Sequence, residues 1–319
     1  IAFAPRVTLG DSTLSGILTV AYLFKAMSLG NLLQMYEQIP ITTQGVTTPT
    51  FVNRTAVLTS VLALLDSALA QYSAVRPGSE FNTSIRAAGL DVENTIYAMQ
   101  ARYQRIAGDH SAALAAANLV NLAVLSVMPF SDQAINPIHD LSNRAGYVKP
   151  RDTLRLTAEA GDARAAYHVT VAAIRGNVRP LDNFAQYASN SSSIPFYYPG
   201  EMRLIGAEAL TNLGDIPGAR AAVNGVRTKC GGSLNEPKAC LAALADTLLD
   251  TAPELLAEIY RQRKFELFAT GLRWEDTRRM ANLGLGLLYN RCWLLYPNSE
   301  RSTNANTPPD PEQLRATCP

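Results

Sequence analysis

Two stretches of twenty residues, 101–120 and 207–226, align without a gap, and eight of their positions are identical. Both carry Gly-Asp at the same place, as Gly108-Asp109 and Gly214-Asp215. A glycine can close one helix in the left-handed conformation, and the aspartate after it can cap the next. The alanines that follow let two antiparallel helices approach closely. A repeated unit of this kind has the chemistry of a tetratricopeptide hairpin.

The rest of the chain agrees. Apolar residues recur at three- and four-residue spacing over 14–38, 55–74, 84–107, 111–127, 163–174, 200–213, 217–228 and 251–270. Convincing period-two runs are absent. Thr251-Ala-Pro-Glu254 is a helix start, a threonine cap three residues before a glutamate with proline in the first turn. Gly271 is expected to end that helix. The fold class expected is all-α, with tetratricopeptide-like hairpins packed against a loop-rich second half. One domain spans 1–319, its helical parts at about 14–127 and 200–283. Loop-rich excursions occupy about 129–199 and 290–319, where Pro, Asn, Ser and Tyr replace the periodic pattern.

Composition then narrows the function classes. A net charge of +1 leaves no basic face for displacing counterions from phosphate, so no nucleic-acid partner is expected. No stretch reads as a membrane-spanning helix. Residues 111–131 are uncharged but rich in alanine, with Asn118, Asn121 and Ser126, and residues 16–36 are broken by Lys25, Gly30 and Asn31. The sequence opens on Ile1, and the true N-terminus is expected to lie outside it.

The four cysteines allow three pairings. Cys230 and Cys240 bracket a turn-rich stretch, and Cys292 and Cys318 bracket a tail rich in Pro, Asn, Ser and Thr. Two local disulfides, Cys230–Cys240 and Cys292–Cys318, fit an oxidising compartment. Four free buried thiols in a cytosolic protein are the alternative. No CxxC pair exists and His110, His139 and His168 stand apart from the cysteines, so neither a metal nor another cofactor is expected.

Catalytic patterns fail one by one. Gly10-Asp11-Ser12 has the form of a serine-hydrolase opening, but the last histidine is His168, with no aspartate three residues before it. Without a base the serine is inert, and Asp11-Ser12 reads as a helix cap. Glu201 and Glu208 share a helix as any long helix allows. Arg261, Arg263, Lys264, Arg273, Arg278 and Arg279 are interleaved with Glu266, Glu275 and Asp276, a self-compensating ion network. No catalytic residue is assigned, and the chain is read as not an enzyme.

The most specific segment is 259–279. It runs Arg263, Glu266-Leu267, Gly271, Arg273-Trp274, Asp276 and Arg279. This resembles the signature of SusD/RagB-like proteins, the surface glycan- and nutrient-binding lipoproteins of Bacteroidetes-type bacteria. Gln262, Thr270 and Thr277 depart from that pattern. Three further pieces agree in order: 21–40, the Ala207-Glu208-Ala209 and Asn224-Gly-Val-Arg227 pair, and 295–304. The resemblance implies a non-catalytic protein on the outer membrane's extracellular face. Such a protein captures glycans, or peptides, for a SusC-like TonB-dependent transporter and takes part in nutrient uptake. Its ligand is a polysaccharide or oligosaccharide, and its lipid anchor is expected to be absent from this sequence. Arg263, Glu266, Gly271, Arg273, Trp274, Asp276 and Arg279 are then scaffold, with Trp274 buried. The alternative function is a structural subunit of a cell-surface complex or filament that self-assembles on the same scaffold.

A sugar ring presents C–H faces that stack on flat side chains, while its hydroxyls need amide and carboxylate partners. The aromatic residues on or beside the irregular segments are Tyr147, Tyr187, Phe196, Tyr197, Tyr198 and Trp293, with Asn143, Asn183 and Asn190 at hand. These six are the ligand-binding candidates.

Overall fold

The computed structural model describes residues 1, 9–42, 45–171, 181–284 and 292–312. The architecture is mostly helical. The helices are α1 (Asp11–Met35), α2 (Arg54–Ala74), α3 (Val92–Ala107), α4 (His110–Leu119), α5 (Thr153–Leu156), α6 (Arg164–His168), α7 (Pro199–Leu213), α8 (Ile216–Arg227), α9 (Ala252–Glu266), α10 (Arg273–Asn282) and α11 (Asn298–Thr303). Six short strands form three antiparallel pairs among the described residues: β1 (Gln38–Ile39) with β2 (Val52–Asn53), β3 (Val127–Met128) with β6 (Ile194–Pro195), and β4 (Val169–Val171) with β5 (Asp182–Phe184).

The chain divides into two compact units. One comprises Ile1–Arg86, Met99–Ala113 and Thr270–Pro319; the other comprises Ala87–Ala98 and Leu114–Ala269. In the first, α1 and α2 pack as an antiparallel pair. Ser15 near the start of α1 donates to the carbonyls of Gln71 and Val75 at the end of α2. Arg54 at the start of α2 donates to Leu33 near the end of α1. By length and composition alone both helices could cross a membrane, with hydropathies of 1.4 and 1.3, which the reading of interrupted apolar runs did not anticipate. In the second unit α7, α8 and α9 pack on one another around Ala207, Ala219, Val223, Leu255 and Ile259, all fully buried.

The Gly-Asp repeat takes the same local geometry twice. Gly108 and Gly214 are left-handed, with φ of 83° and 87°. Asp109 then accepts from the Ala112 amide and Asp215 from the Gly218 amide, each at 2.9 Å. Thr251 and Glu254 form a capping box on α9.

Four helices are shorter than their apolar patterns suggest, two of them because polar side chains bond the backbone first. Asp91 accepts from the Asn94 amide and starts α3 there rather than at Ser84. α4 ends at Leu119, and Ser126 turns inward to accept from the Asp91 amide and the Thr95 hydroxyl. α6 gives way to β4 where the β-branched Val169-Thr170-Val171 begins, and 172–174 lie outside the described residues. α9 ends at Glu266, and Gly271 sits left-handed in the turn before α10, not at the helix end.

Candidate functional site

The excursion 139–187, within the second unit, carries the candidate site. Behind its surface lies an aromatic core. Phe184 packs edge-on to Tyr187 and tilted to Phe268, and His168 sits between Phe268 and Tyr167. The His168 ring bonds the Phe265 carbonyl at 2.8 Å and the Gln186 side chain. Burial brings its pKa down to about 4, against the pull of these hydrogen bonds, and the imidazole is neutral.

Asn143 fastens the surface segment to this core. Its amide donates to the carbonyls of Phe184 and Tyr187 at 2.8 and 3.0 Å, and its oxygen accepts from the Phe184 amide. The chain then turns, with the Tyr147 and Val148 amides both donating to Leu141, and runs alongside β5. Arg151 stands opposite Leu181, and the Asp182 amide donates to Pro150. That register sets Lys149 opposite Asn183, and Lys149 Nζ donates to Asn183 Oδ1 at 2.5 Å. On the far side of β5, Asn183 faces Thr170 of β4. Tyr147 projects into solvent with 82% of its surface exposed.

Most of the expected ligand contacts lie elsewhere in their environment. Tyr187, Tyr197, Tyr198 and Trp293 each keep only 1% exposure, so no ring face is open to a sugar. Burial raises the hydroxyl pKa of all three tyrosines. Tyr197 donates to the Val124 carbonyl, Tyr198 lies 3.5 Å from the Tyr167 hydroxyl, and Trp293 lies 3.7 Å beneath the Arg278 guanidinium. They anchor loops, because a long irregular segment needs large apolar groups to hold it to the core. Phe196 is half-buried, its amide bonded to Ser126. Asn190 bonds Asp132. Of the six aromatics only Tyr147 presents an open ring. The sequence reasoning missed Lys149, Arg151 and Thr170. The two-residue spacing of Lys149 and Arg151 was the signal, too short to read as a strand.

Of the seven signature residues three are buried, three are half-buried and Gly271 is exposed. In the second unit, Arg263 is 1% exposed and Glu266 fully buried. Glu266 meets Lys229 at 2.5 Å and Arg164 at 3.5 Å, while Arg164 is held bidentately by Asp162 at 2.9 and 2.7 Å. Gly200 makes room for it, since a Cβ there would lie 1.8 Å from Glu266 Oε1. In the first unit, Asp276 pairs with Arg105 at 2.9 Å, both side chains 1% exposed. Arg273, Trp274 and Arg279 are half-buried. Trp274 was expected to be buried and is half-buried; its indole N–H donates to the carbonyl of the buried Cys292 at 3.0 Å. Cys230 and Cys240 form a disulfide. Cys292 is buried, and its expected partner Cys318 lies outside the described residues.

The SusD family model matches residues 94–312, most of the chain. The chain belongs to the SusD family. Solved structures agree with this in fold. NanU of B. fragilis superposes with a TM-score of 0.68 at 13% identity, over 98% of this chain and 81% of its own. A SusD superfamily protein from Bacteroides vulgatus gives 0.66 at 13% identity, over 93% and 78%. The surface glycan-binding protein A of Bacteroides uniformis gives 0.62 at 16% identity, over 95% and 75%. No curated protein matches the chain. Arg263, Glu266 and Asp276 of the SusD-family signature are buried in this chain, and Tyr147, the exposed ring among the six candidates, lies on the excursion.

Proposed function

We propose that this SusD-family chain is a non-catalytic protein of the outer membrane's extracellular face that captures glycans, or peptides, for a SusC-like TonB-dependent transporter. Family membership is the observation that carries the reading. Its structural relatives include one named as a surface glycan-binding protein and one named as a SusD-like carbohydrate-binding protein from Bacteroides vulgatus. Tyr147 offers an exposed ring close along the chain to Lys149 and Arg151, and Lys149 bonds the Asn183 amide oxygen. A glycan array probed with the wild type and Tyr147→Ala tests this. A set of glycans bound by the wild type and lost in the variant, with the melting temperature unchanged, is expected. A silent array overturns the reading.

A second reading is an assembly subunit built on the same scaffold. It is favoured by Leu141 and Val148, which are 49% and 57% exposed on the same turn as Tyr147. Light scattering separates the two readings, since an assembly subunit grows with concentration and a binding protein stays at one mass.

A further inference from the structure

The outward face built on β5 has a chemistry that selects among glycans. Side chains alternate across a strand, so residues opposite one another share a face. Lys149 and Asn183 are opposite, Asn183 and Thr170 are opposite, and Arg151 and Leu181 are opposite. Thr170, Arg151 and Leu181 are exposed, and Lys149 and Asn183 are half-buried. Of the inward residues, Pro150, Val169, Asp182 and Phe184 are buried, while Val171, opposite Asp182, is exposed at the end of β4. Apart from that end, the ribbon has one wet side.

The charges on the two sides differ. Asp182 is fully buried and turned to Arg155, and Asp152 is 5% exposed, so neither carboxylate reaches the outward face. Asp140 is taken by Arg144. Lys149 is held by a neutral amide oxygen, and Arg151 pairs with no carboxylate among the described residues. Among the described residues two cations thus stand on one face without an anion, and Tyr147 stands exposed in the bend two residues before Lys149. An arginine can receive a carboxylate in a two-pronged hydrogen bond, a lysine adds a point charge, and an aromatic ring stacks on the C–H face of a pyranose. Neutral sugars can accept hydrogen bonds from the cations but gain no charge pairing from them.

We propose that this face binds an acidic saccharide, a glycan bearing uronate or sialate carboxylates, with Tyr147 under the ring and Lys149 and Arg151 on the carboxylate. The proposal rests on the glycan-capture reading and adds the substrate class to it. The test uses glycans in pairs, oligogalacturonate and a sialyl oligosaccharide each beside its carboxyl-reduced counterpart, with polyglutamate as a non-sugar anion. Calorimetry is run on the wild type, on Tyr147→Ala and on the double variant Lys149→Gln with Arg151→Gln. The melting temperature of each variant is checked.

At least one acidic glycan is expected to bind tenfold or more tightly than its reduced partner, with a preference that shrinks as salt is raised. The double variant loses the preference but keeps the weaker, charge-independent binding; Tyr147→Ala loses both. Equal binding of acidic and reduced members overturns the acidic class and leaves glycan capture standing. A preference that survives the double variant overturns the site. Polyglutamate bound as tightly as the glycans overturns the saccharide assignment. Binding to no glycan at all, across these pairs and the array, overturns both.

Discussion

Glu266 and Glu275 both have side chains with no solvent exposure, one in each compact unit, and their electrostatic conditions are opposite. Burial raises the Glu266 pKa, and Lys229 and Arg164 only partly offset it. At Glu275 burial also pushes upward, but Arg54, Arg278 and Arg279 outweigh it and hold the carboxyl below its ordinary value. The cause is the local ratio of charges. Lys229 is shared between Glu236 and Glu266, and Arg164 between Asp162 and Glu266, so two cations serve three carboxylates. Arg54 at 2.6 Å and Arg278 both bond Glu275. A buried charge is tolerated according to its partners, not according to its burial.

The largest effect expected from this difference is on stability. Glu275→Gln leaves Arg278 buried without a counter-charge and should cost about 3–5 kcal/mol. Glu266→Gln removes a carboxylate that is poorly compensated and should cost about 1–3 kcal/mol. Urea unfolding of both variants checks the order, and equal losses would erase the contrast.

The pH dependence separates the groups by window and sign. His168 is neutral in the native state to about pH 4, whereas the unfolded chain takes up its proton near 6.5. Stability therefore falls as pH drops between those values, by up to about 3 kcal/mol in total. His168→Gln should flatten that part of the profile. Glu275 adds stability above its ordinary value of 4.5, which is lost as pH falls through its lower native value. Glu266 acts in the other direction, since its raised pKa makes the native state bind the proton first. Glu266→Gln should therefore leave the acid side less favoured relative to neutral pH, and Glu275→Gln should do the reverse.

The smallest effect concerns a pair that should behave alike. Asp109→Ala and Asp215→Ala each remove one 2.9 Å cap bond and should cost about 1 kcal/mol apiece by thermal unfolding. Unequal losses would show that tertiary packing, and not the cap, sets stability at these turns.

The repeat, the capping box and the helical spacing were legible because each is a local pattern. A left-handed glycine and a capping aspartate act on amides three residues away, and a stripe of apolar residues defines its own face. The helix ends at Asp91 and Leu119 were not legible in the same way. They depend on Ser126 folding back to Asp91 and Thr95, a contact made only when the segments meet.

The candidate site divides along the same line. Composition placed Tyr147, Tyr187, Phe196, Tyr197, Tyr198 and Trp293 in one class, because nothing in a short irregular sequence distinguishes an anchoring ring from an open one. The structure separated them by burying four and leaving Tyr147 exposed. Lys149 and Arg151 joined the site only through their register against β5, which brings together residues thirty or more positions apart.

By itself the sequence determined the helical class, the Gly-Asp turns and the family signature, since each is written in residues close along the chain; it left the cysteine pairing open. The tertiary structure alone decided which aromatic is open, which carboxylate holds its proton more tightly and which cations share a face. Those properties depend on partners distant in sequence, and a charge or a ring takes its chemistry from what surrounds it.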